Sequence, residues 1–285
     1  MPTYKEVQTH YRTVPPALLF SPPPSIPPPL DLSTSSSTTL PSHPGFSFLP
    51  NALPPPAQLS LARACLAEYA RPPHATNLDA LPREPGEARE ALDPWELYKS
   101  GATAAGARRL ERLSWATLGY HFLWSPRGYR AAARSPLPPL LASLAASLVP
   151  GPFVPEAAIV NYYSAKGLPM GGHRDDVELT LLPPVLSLSL GLPAVFLLGG
   201  LSKDDAPVPL LLRSGDATLL GGDSRLCYHG VARVLPDATP LPPAPGAGLE
   251  EGDEEAVRRF LAVRRINVNV RQVLPEGGSF PDDGA

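Results

Sequence analysis

Proline limits this chain more than any other feature does. Forty of its 285 residues are proline, 24 of them in three blocks. Each proline removes a backbone donor and pushes its predecessor toward extended geometry, so long regular elements are confined to the stretches between the blocks. The first block runs from Val14 to about Pro56 and includes SPPPSIPPPL and LSTSSSTTLP. It predicts an extended arm over residues 1–58 with no regular element through its proline-rich part. The second, about Arg71–Pro94, reads as a polar connector inside a helical extension over residues 59–112. The third, Pro236–Asp253, interrupts a strand-rich region and predicts a long exposed loop insertion, bounded at 236–257.

Between the blocks the texture is that of a folded protein. Helical spacing appears at Ser60–Ala70, Ala104–Leu113 and Leu137–Leu148, the last apolar nearly all round and so expected to pack on a core. After Pro155 short β-type runs follow one another: AAIVNYY, VLSLSLG, AVFLLGG, VPLLLRSGDATLLGG, HGVARVL and RRINVNVRQV. Many short strands separated by Gly, Pro and Asp turns point to a sandwich or small barrel over residues 113–275, with a short tail at 276–285.

Composition removes several classes of function. The net charge is −3 and hydrophobic residues make up 43%. There is material for a sizeable core, and a nucleic-acid site would have to be a local basic patch. Arg108, Arg109, Arg112, Arg127, Arg130 and Arg134 form such a cluster in the sequence. Two cysteines, Cys65 and Cys227, are too few for a disulfide framework and suit a reducing compartment. No apolar run reaches membrane-spanning length. The N-terminal MPTYKEVQTHYR lacks an apolar secretory core, and Glu6 argues against a mitochondrial leader.

One constellation carries chemistry. GGHRDDVELT places His173 and Asp175 one residue apart behind two glycines, and His229 opens a later strand. Two histidines and a carboxylate are the donor set of non-haem Fe(II) oxygenases, which keep three coordination positions open. Taken alone, a His-x-Asp is more often a surface turn and a lone later histidine more often structural. The run RINVNVR shifts that balance. Arg265, Asn267, Asn269 and Arg271 fall on one strand face and the valines on the other, a pattern suited to a polar cavity. Arginine binds a dicarboxylate through a bidentate fork that lysine lacks. The two arginines stand about 20 Å apart on an ideal strand, too far for both to grip one small diacid without curvature. A solvated edge strand is the competing reading.

These segments resemble the AlkB-type Fe(II)/2-oxoglutarate dioxygenases, most closely their first eukaryotic homologue branch. The resemblance rests on NYY at 161–163, His-Arg-Asp at 173–175, LSLSLGLPAVFLLGG from Leu186, LLLRSGDATLLGGDSRLCYHGV from Leu210 and Arg-Ile-Asn-Val-Asn-Val-Arg from Arg265. It implies an α+β fold with a mainly β core: a double-stranded β-helix, or jelly roll, with flanking helices and a nucleotide-recognition lid. It also implies that His173, Asp175 and His229 bind Fe(II), that Arg265 pairs with the distal carboxylate of 2-oxoglutarate, and that Arg271 lies near its chelating end. Asn161, Tyr163 and Asn267 would hydrogen-bond the co-substrate. In LSWATLGYHFLWSP, Trp115 would stack on a target base, with Phe122 and Trp124 shaping the pocket; Trp115 as a packing aromatic is the alternative. Val177 departs from relatives that carry an acid there, which leaves the preferred base open.

The implied reaction uses dioxygen and 2-oxoglutarate to oxidise a methyl group on a base, and on nitrogen the product collapses to formaldehyde and the bare base. The base must be single-stranded, looped or flipped out to reach a barrel centre. The implied partner is methylated nucleic acid, tRNA first and DNA second, met by an intracellular, monomeric protein in the nucleus, cytoplasm or mitochondrion. Two other readings stay open: a non-catalytic nucleic-acid-binding barrel, and a dioxygenase acting on a protein or small molecule.

Overall fold

The computed structural model describes residues 1–34, 38–80, 93–101, 110–167, 170–236 and 239–281. Its strands are β1 (Thr38–Leu40), β2 (His43–Leu49), β3 (Ala75–Thr76), β4 (Trp115–Gly119), β5 (Leu123–Trp124), β6 (Arg127–Gly128), β7 (Ala157–Ser164), β8 (Val185–Gly191), β9 (Ala194–Leu198), β10 (Val208–Leu212), β11 (Ala217–Leu220), β12 (His229–Val234) and β13 (Arg264–Arg271). The helices are α1 (Tyr4–Thr13), α2 (Pro55–Ala67), α3 (Pro94–Lys99), α4 (Pro139–Leu148) and α5 (Glu251–Leu261). The major sheet has eight strands in the order β1-β2-β11-β8-β13-β7-β4-β3, and the minor sheet has the order β10-β9-β12. All these neighbours pair antiparallel.

Strand alternation sorts the side chains into layers. Ala158, Val160 and Tyr162 of β7, Leu186, Leu188 and Leu190 of β8, and Ile266, Val268 and Val270 of β13 share one buried cluster with α2 and α5. The opposite face of the same strands carries Asn161, Tyr163, Ser187, Arg265, Asn267, Asn269 and Arg271 toward a cavity closed on its far side by the minor sheet. The core therefore lies between helices and the major sheet, and the polar space lies between the two sheets. This is the jelly-roll arrangement.

The structure corrects the reading of the proline blocks in three places. The first block was expected to carry no regular element, yet β2 forms within it. Pairing with β11 involves only Phe46–Leu49, a proline-free run of alternating side chains. Gly45 makes the entry possible, at φ +84°, where an added Cβ would stand 2.1 Å from the Gly221 carbonyl oxygen. The N-terminus is also folded. Tyr4, Val7 and Tyr11 of α1 are buried with Val195, Leu197 and Ala232 of the minor sheet.

Second, the helix expected at Ser60–Ala70 begins five residues earlier, at Pro55. Prolines cost nothing in a first helical turn, where their missing N–H would be unpaired anyway. Pro94 and Pro139 open α3 and α4 in the same way. The expected packing of Leu137–Leu148 is confined to one face, with Leu141 and Ala145 buried. The helix expected at Ala104–Leu113 lies mostly outside the described residues.

Third, the segment read as an exposed loop at 236–257 is partly built into the core. Its C-terminal end is the first half of α5. Ala244 is buried, the Arg258 guanidinium donates to the carbonyls of Leu241 (2.6 Å) and Pro242 (3.1 Å), and the Ser60 hydroxyl donates to that of Ala247 at 3.0 Å. Asp253 bridges Arg63 of α2 (3.0 Å) and Lys99 of α3 (3.1 Å). The amphipathic spacing of Ala256, Val257, Phe260 and Leu261 was masked by the acidic residues before it. Phe260→Ala is expected to destabilise the fold by about 3–5 kcal/mol, measured by denaturant unfolding; a loss under about 1 kcal/mol would return this segment to the surface.

Candidate metal and co-substrate site

The two histidines meet through backbone pairing rather than through sequence. His173 and His229 form an isolated antiparallel bridge, with N–H to carbonyl distances of 3.0 and 2.9 Å in the two directions. Gly171–Gly172 and Gly230 permit this approach: a Cβ on Gly230 would lie 2.8 Å from the Gly171 carbonyl oxygen, and one on Gly172 would lie 2.5 Å from the Tyr4 ring. The imidazole centroids stand 4.5 Å apart. Asp175 completes the group, its carboxylate 3.9 Å from His173 Nε2 and 3.7 Å from His229 Nε2. One donor atom from each of the three residues lies within 4.8 Å of the other two.

The protonation pattern suits a divalent metal. His173 Nδ1 lies 2.9 Å from the Gly171 carbonyl and His229 Nδ1 lies 3.0 Å from that of Cys227. A carbonyl can only accept, so each Nδ1 carries a proton, which leaves Nε2 as the nitrogen that can face a metal. Burial, and then the neighbouring His173, push His229 down to about 4, so it is neutral at physiological pH. Burial alone would raise Asp175, but Arg271 first, then His229, His173 and Arg225, hold it well below the usual carboxylate range. Two imidazoles and one carboxylate on one side of a polar cavity form the facial donor set of Fe(II) oxygenases.

The cavity has a volume of about 530 Å³. On its wall Arg265 is fully buried. It donates to Ser189 Oγ at 2.8 Å and to the Leu192 carbonyl at 3.3 Å, and its Nε has no hydrogen-bond partner. Among the described residues no carboxylate comes within ion-pair distance of it. Burial lowers it to about 10, still charged at neutral pH. A buried guanidinium with spare donors and no carboxylate is a cradle for an anionic ligand. Asn161 and Tyr163 line the same cavity, and burial raises the Tyr163 hydroxyl to about 12. Asn267 also faces it, but both its amide protons are engaged, by Ser187 Oγ (2.8 Å) and the Leu188 carbonyl (3.0 Å), and its oxygen accepts from Asn269 Nδ2 at 3.0 Å, so the expected hydrogen bond from Asn267 to the co-substrate has no free donor. Arg271 faces Asp175 instead of an open space, donating to Oδ2 at 2.7 Å.

The lid residues divide. Phe122 and Trp124 line the cavity mouth, their rings 4.6 Å apart at 68°. Trp115, expected on a target base, does not line it; its ring packs at 5.6 Å against Trp124, which is 47% exposed. The arginine cluster divides too. Arg108 and Arg109 lie outside the described residues, and Arg134 sits over the Tyr120 ring, off the cavity. Among the described residues of that set, only Arg127 lines the cavity. Arg174 and Lys203 join it there, each about 5 Å from the Tyr228 ring centroid, at 4.9 and 5.1 Å. Sequence spacing carries no signal for that pair, because residues 174, 203 and 228 converge only through the fold.

A jelly roll with His-x-Asp and a later histidine at the barrel mouth, faced by a buried arginine, defines a non-haem iron oxygenase. The chain belongs to the 2OG-Fe(II) oxygenase superfamily, which it matches over residues 45–271. That makes it a dioxygenase whose family uses Fe(II), 2-oxoglutarate and dioxygen. It is 33% identical to the DNA N(6)-methyladenine demethylase ALKBH1A of Arabidopsis thaliana, over 82% of this chain and 76% of that one. It is 34% identical to the tRNA demethylase abh1 of Schizosaccharomyces pombe, over 58% of this chain and 54% of that one. The solved structure of OsALKBH1 superposes with a TM-score of 0.54 at 22% identity, covering 83% of this chain and 99% of the other, a likeness of fold. Among the described residues no helix is long and apolar enough to cross a membrane.

Proposed function

We propose that this chain removes methyl groups from bases in nucleic acid, with tRNA its first substrate and DNA its second. In this reading His173, Asp175 and His229 hold Fe(II), and Arg265 takes the distal carboxylate of 2-oxoglutarate, assisted by Asn161 and Tyr163. When bound, the iron with 2-oxoglutarate and dioxygen supplies oxidation of an N-methyl group to a hydroxymethyl group, which leaves as formaldehyde. The chain's own residues admit the base, orient it and exclude water. Acting on tRNA or DNA, the protein works inside the cell and as a monomer.

One observation carries the reading: aromatic rings and cations share the mouth of the cavity that holds the donor set. Phe122 and Trp124 offer flat apolar faces for an extruded base, and Arg127, Arg174 and Lys203 stand where flanking phosphates would pass. The mouth is built for a single unstacked base, which favours loops over duplex. The tRNA preference rests on the abundance of such loops in tRNA and on the fission-yeast relative; the Arabidopsis relative supports DNA.

The test is nucleoside mass spectrometry after incubation with 1-methyladenine-containing tRNA and, separately, N6-methyladenine single-stranded DNA. Loss of the tRNA mark with matching formaldehyde is expected, and Trp124→Ala should raise KM for that tRNA about tenfold or more. Loss confined to DNA would reassign the substrate. Methyl marks intact on both, with 2-oxoglutarate consumed on a peptide or metabolite, would refute a nucleic-acid substrate.

A further inference from the structure

We propose that Glu178 and Arg225, a buried ion pair behind the donor set, form a positioning brace that holds Asp175 in place and thereby sets the affinity for the divalent metal. The proposal rests on the reading of His173, Asp175 and His229 as metal ligands. It goes beyond that reading by giving a role to two residues outside the cavity lining.

The pair is enclosed: the Glu178 side chain is 0% exposed and that of Arg225 3%. Arg225 Nη2 meets Glu178 Oε2 at 3.0 Å, and its Nε donates to the Pro183 carbonyl at 3.2 Å. Its remaining nitrogen, Nη1, donates to the backbone carbonyl of Asp175. The other Glu178 oxygen accepts from the Tyr129 hydroxyl at 3.3 Å and makes an ion-pair contact with Arg271 Nε at 3.5 Å. Arg271 in turn donates to Asp175 Oδ2 at 2.7 Å.

Asp175 is thus held at two points, its main chain by Arg225 and its carboxylate by Arg271. The Glu178 carboxylate also touches both arginines. The four buried charges balance: two carboxylates and two guanidiniums. Arg225 also stands in the 3₁₀ turn Gly222–Leu226 just before His229, so the brace joins the loop of one metal ligand to the approach of another.

Removing Glu178 leaves two guanidiniums facing one aspartate. Arg271 then draws the Asp175 carboxylate more tightly and competes with the metal for it. Removing Arg225 releases the Asp175 main chain and leaves Glu178 free to pull Arg271 away. Both changes misplace the carboxylate, so both should weaken metal binding, although they alter the local charge in opposite directions. A purely electrostatic role would weaken binding in the first case and strengthen it in the second.

The experiment titrates Mn(II) into the full-length, metal-free chain and reads free Mn(II) by electron paramagnetic resonance, with the thermal midpoint of the metal-free protein recorded alongside. Glu178→Gln and Arg225→Gln are each expected to weaken Mn(II) binding about 10- to 100-fold, the range typical for groups that orient metal ligands. Unchanged affinity with a lowered thermal midpoint would make the pair structural and overturn the proposal, as would tighter binding in Arg225→Gln. Should the single variants fail to fold, Glu178→Leu/Arg225→Met replaces the buried pair with apolar bulk, a change that folds often tolerate. Weakened Mn(II) binding in that folded variant supports the brace, and wild-type affinity refutes it. A wild-type chain that binds no Mn(II) would overturn the ligand assignment itself, and the brace with it.

Discussion

Asp175→Ala is expected to abolish metal binding and turnover while leaving a folded protein. Asp175 is the only carboxylate of the three residues, and both imidazoles turn Nε2 toward it. Without it the site keeps two imidazoles and the Arg271 cation, an arrangement that repels a divalent ion. Mn(II) affinity should fall by at least about 100-fold, beyond the effect of losing a supporting group. Turnover should drop to the level measured without enzyme. The variant also strips Arg271 of its closest partner, so some loss of stability is expected, since a buried charge left unpaired is costly. His173→Ala separates the two effects, because it removes a ligand without orphaning a charge. Near-normal activity in either variant would sink the donor assignment.

Arg265→Met is expected to raise KM for 2-oxoglutarate by about 10- to 100-fold, because a hydrogen-bonded charge partner contributes roughly 1.5–3 kcal/mol to a buried anion. Stability supplies the more telling half of the prediction. Arg265 is a fully buried cation with an unpartnered Nε and, among the described residues, no carboxylate in ion-pair reach. Such a group costs folding energy that only a ligand offsets. The ligand-free variant should therefore melt at or above the wild-type temperature while losing the stabilisation that added 2-oxoglutarate gives the wild type. A variant that unfolds readily without ligand, or that binds 2-oxoglutarate normally, would show that Arg265 serves the core and not the co-substrate.

Much of the site was legible because it is written along single strands. The period-two face of Arg265, Asn267, Asn269 and Arg271 is a local property of β13, and all four line the cavity. His173 and Asp175 are separated by one residue, and no fold is needed to see them as a pair. The residues that sequence placed poorly depend on long-range geometry. Trp115 and Trp124 both sit in one aromatic-rich run, and nothing local distinguishes the ring at the mouth from the ring behind it. The six arginines near the lid look like a cluster because they are close in sequence, yet Arg134 leaves for the Tyr120 ring. Arg174 and Lys203, which reach the mouth, come from loops 29 residues apart. The proline blocks misled for a different reason. Proline forbids helix and sheet interiors, but it opens a helix at no cost, and four proline-free residues are enough for a strand once a sheet edge is there to receive them.

What the sequence by itself determined is therefore whatever backbone chemistry and side-chain periodicity dictate locally. It specified the short strands that follow Pro155, the polar face of β13, and the donor types that suit ferrous iron. What only the tertiary structure decided is what neighbouring backbones must negotiate. The bridge that sets His173 beside His229, the glycines that let it close, the four buried charges around Asp175, and the α1 ring packed over Gly172 all arise from segments far apart in the chain. Their contacts are determined by the register between strands and by the exclusion of water from the space between two sheets, and no stretch of sequence contains either.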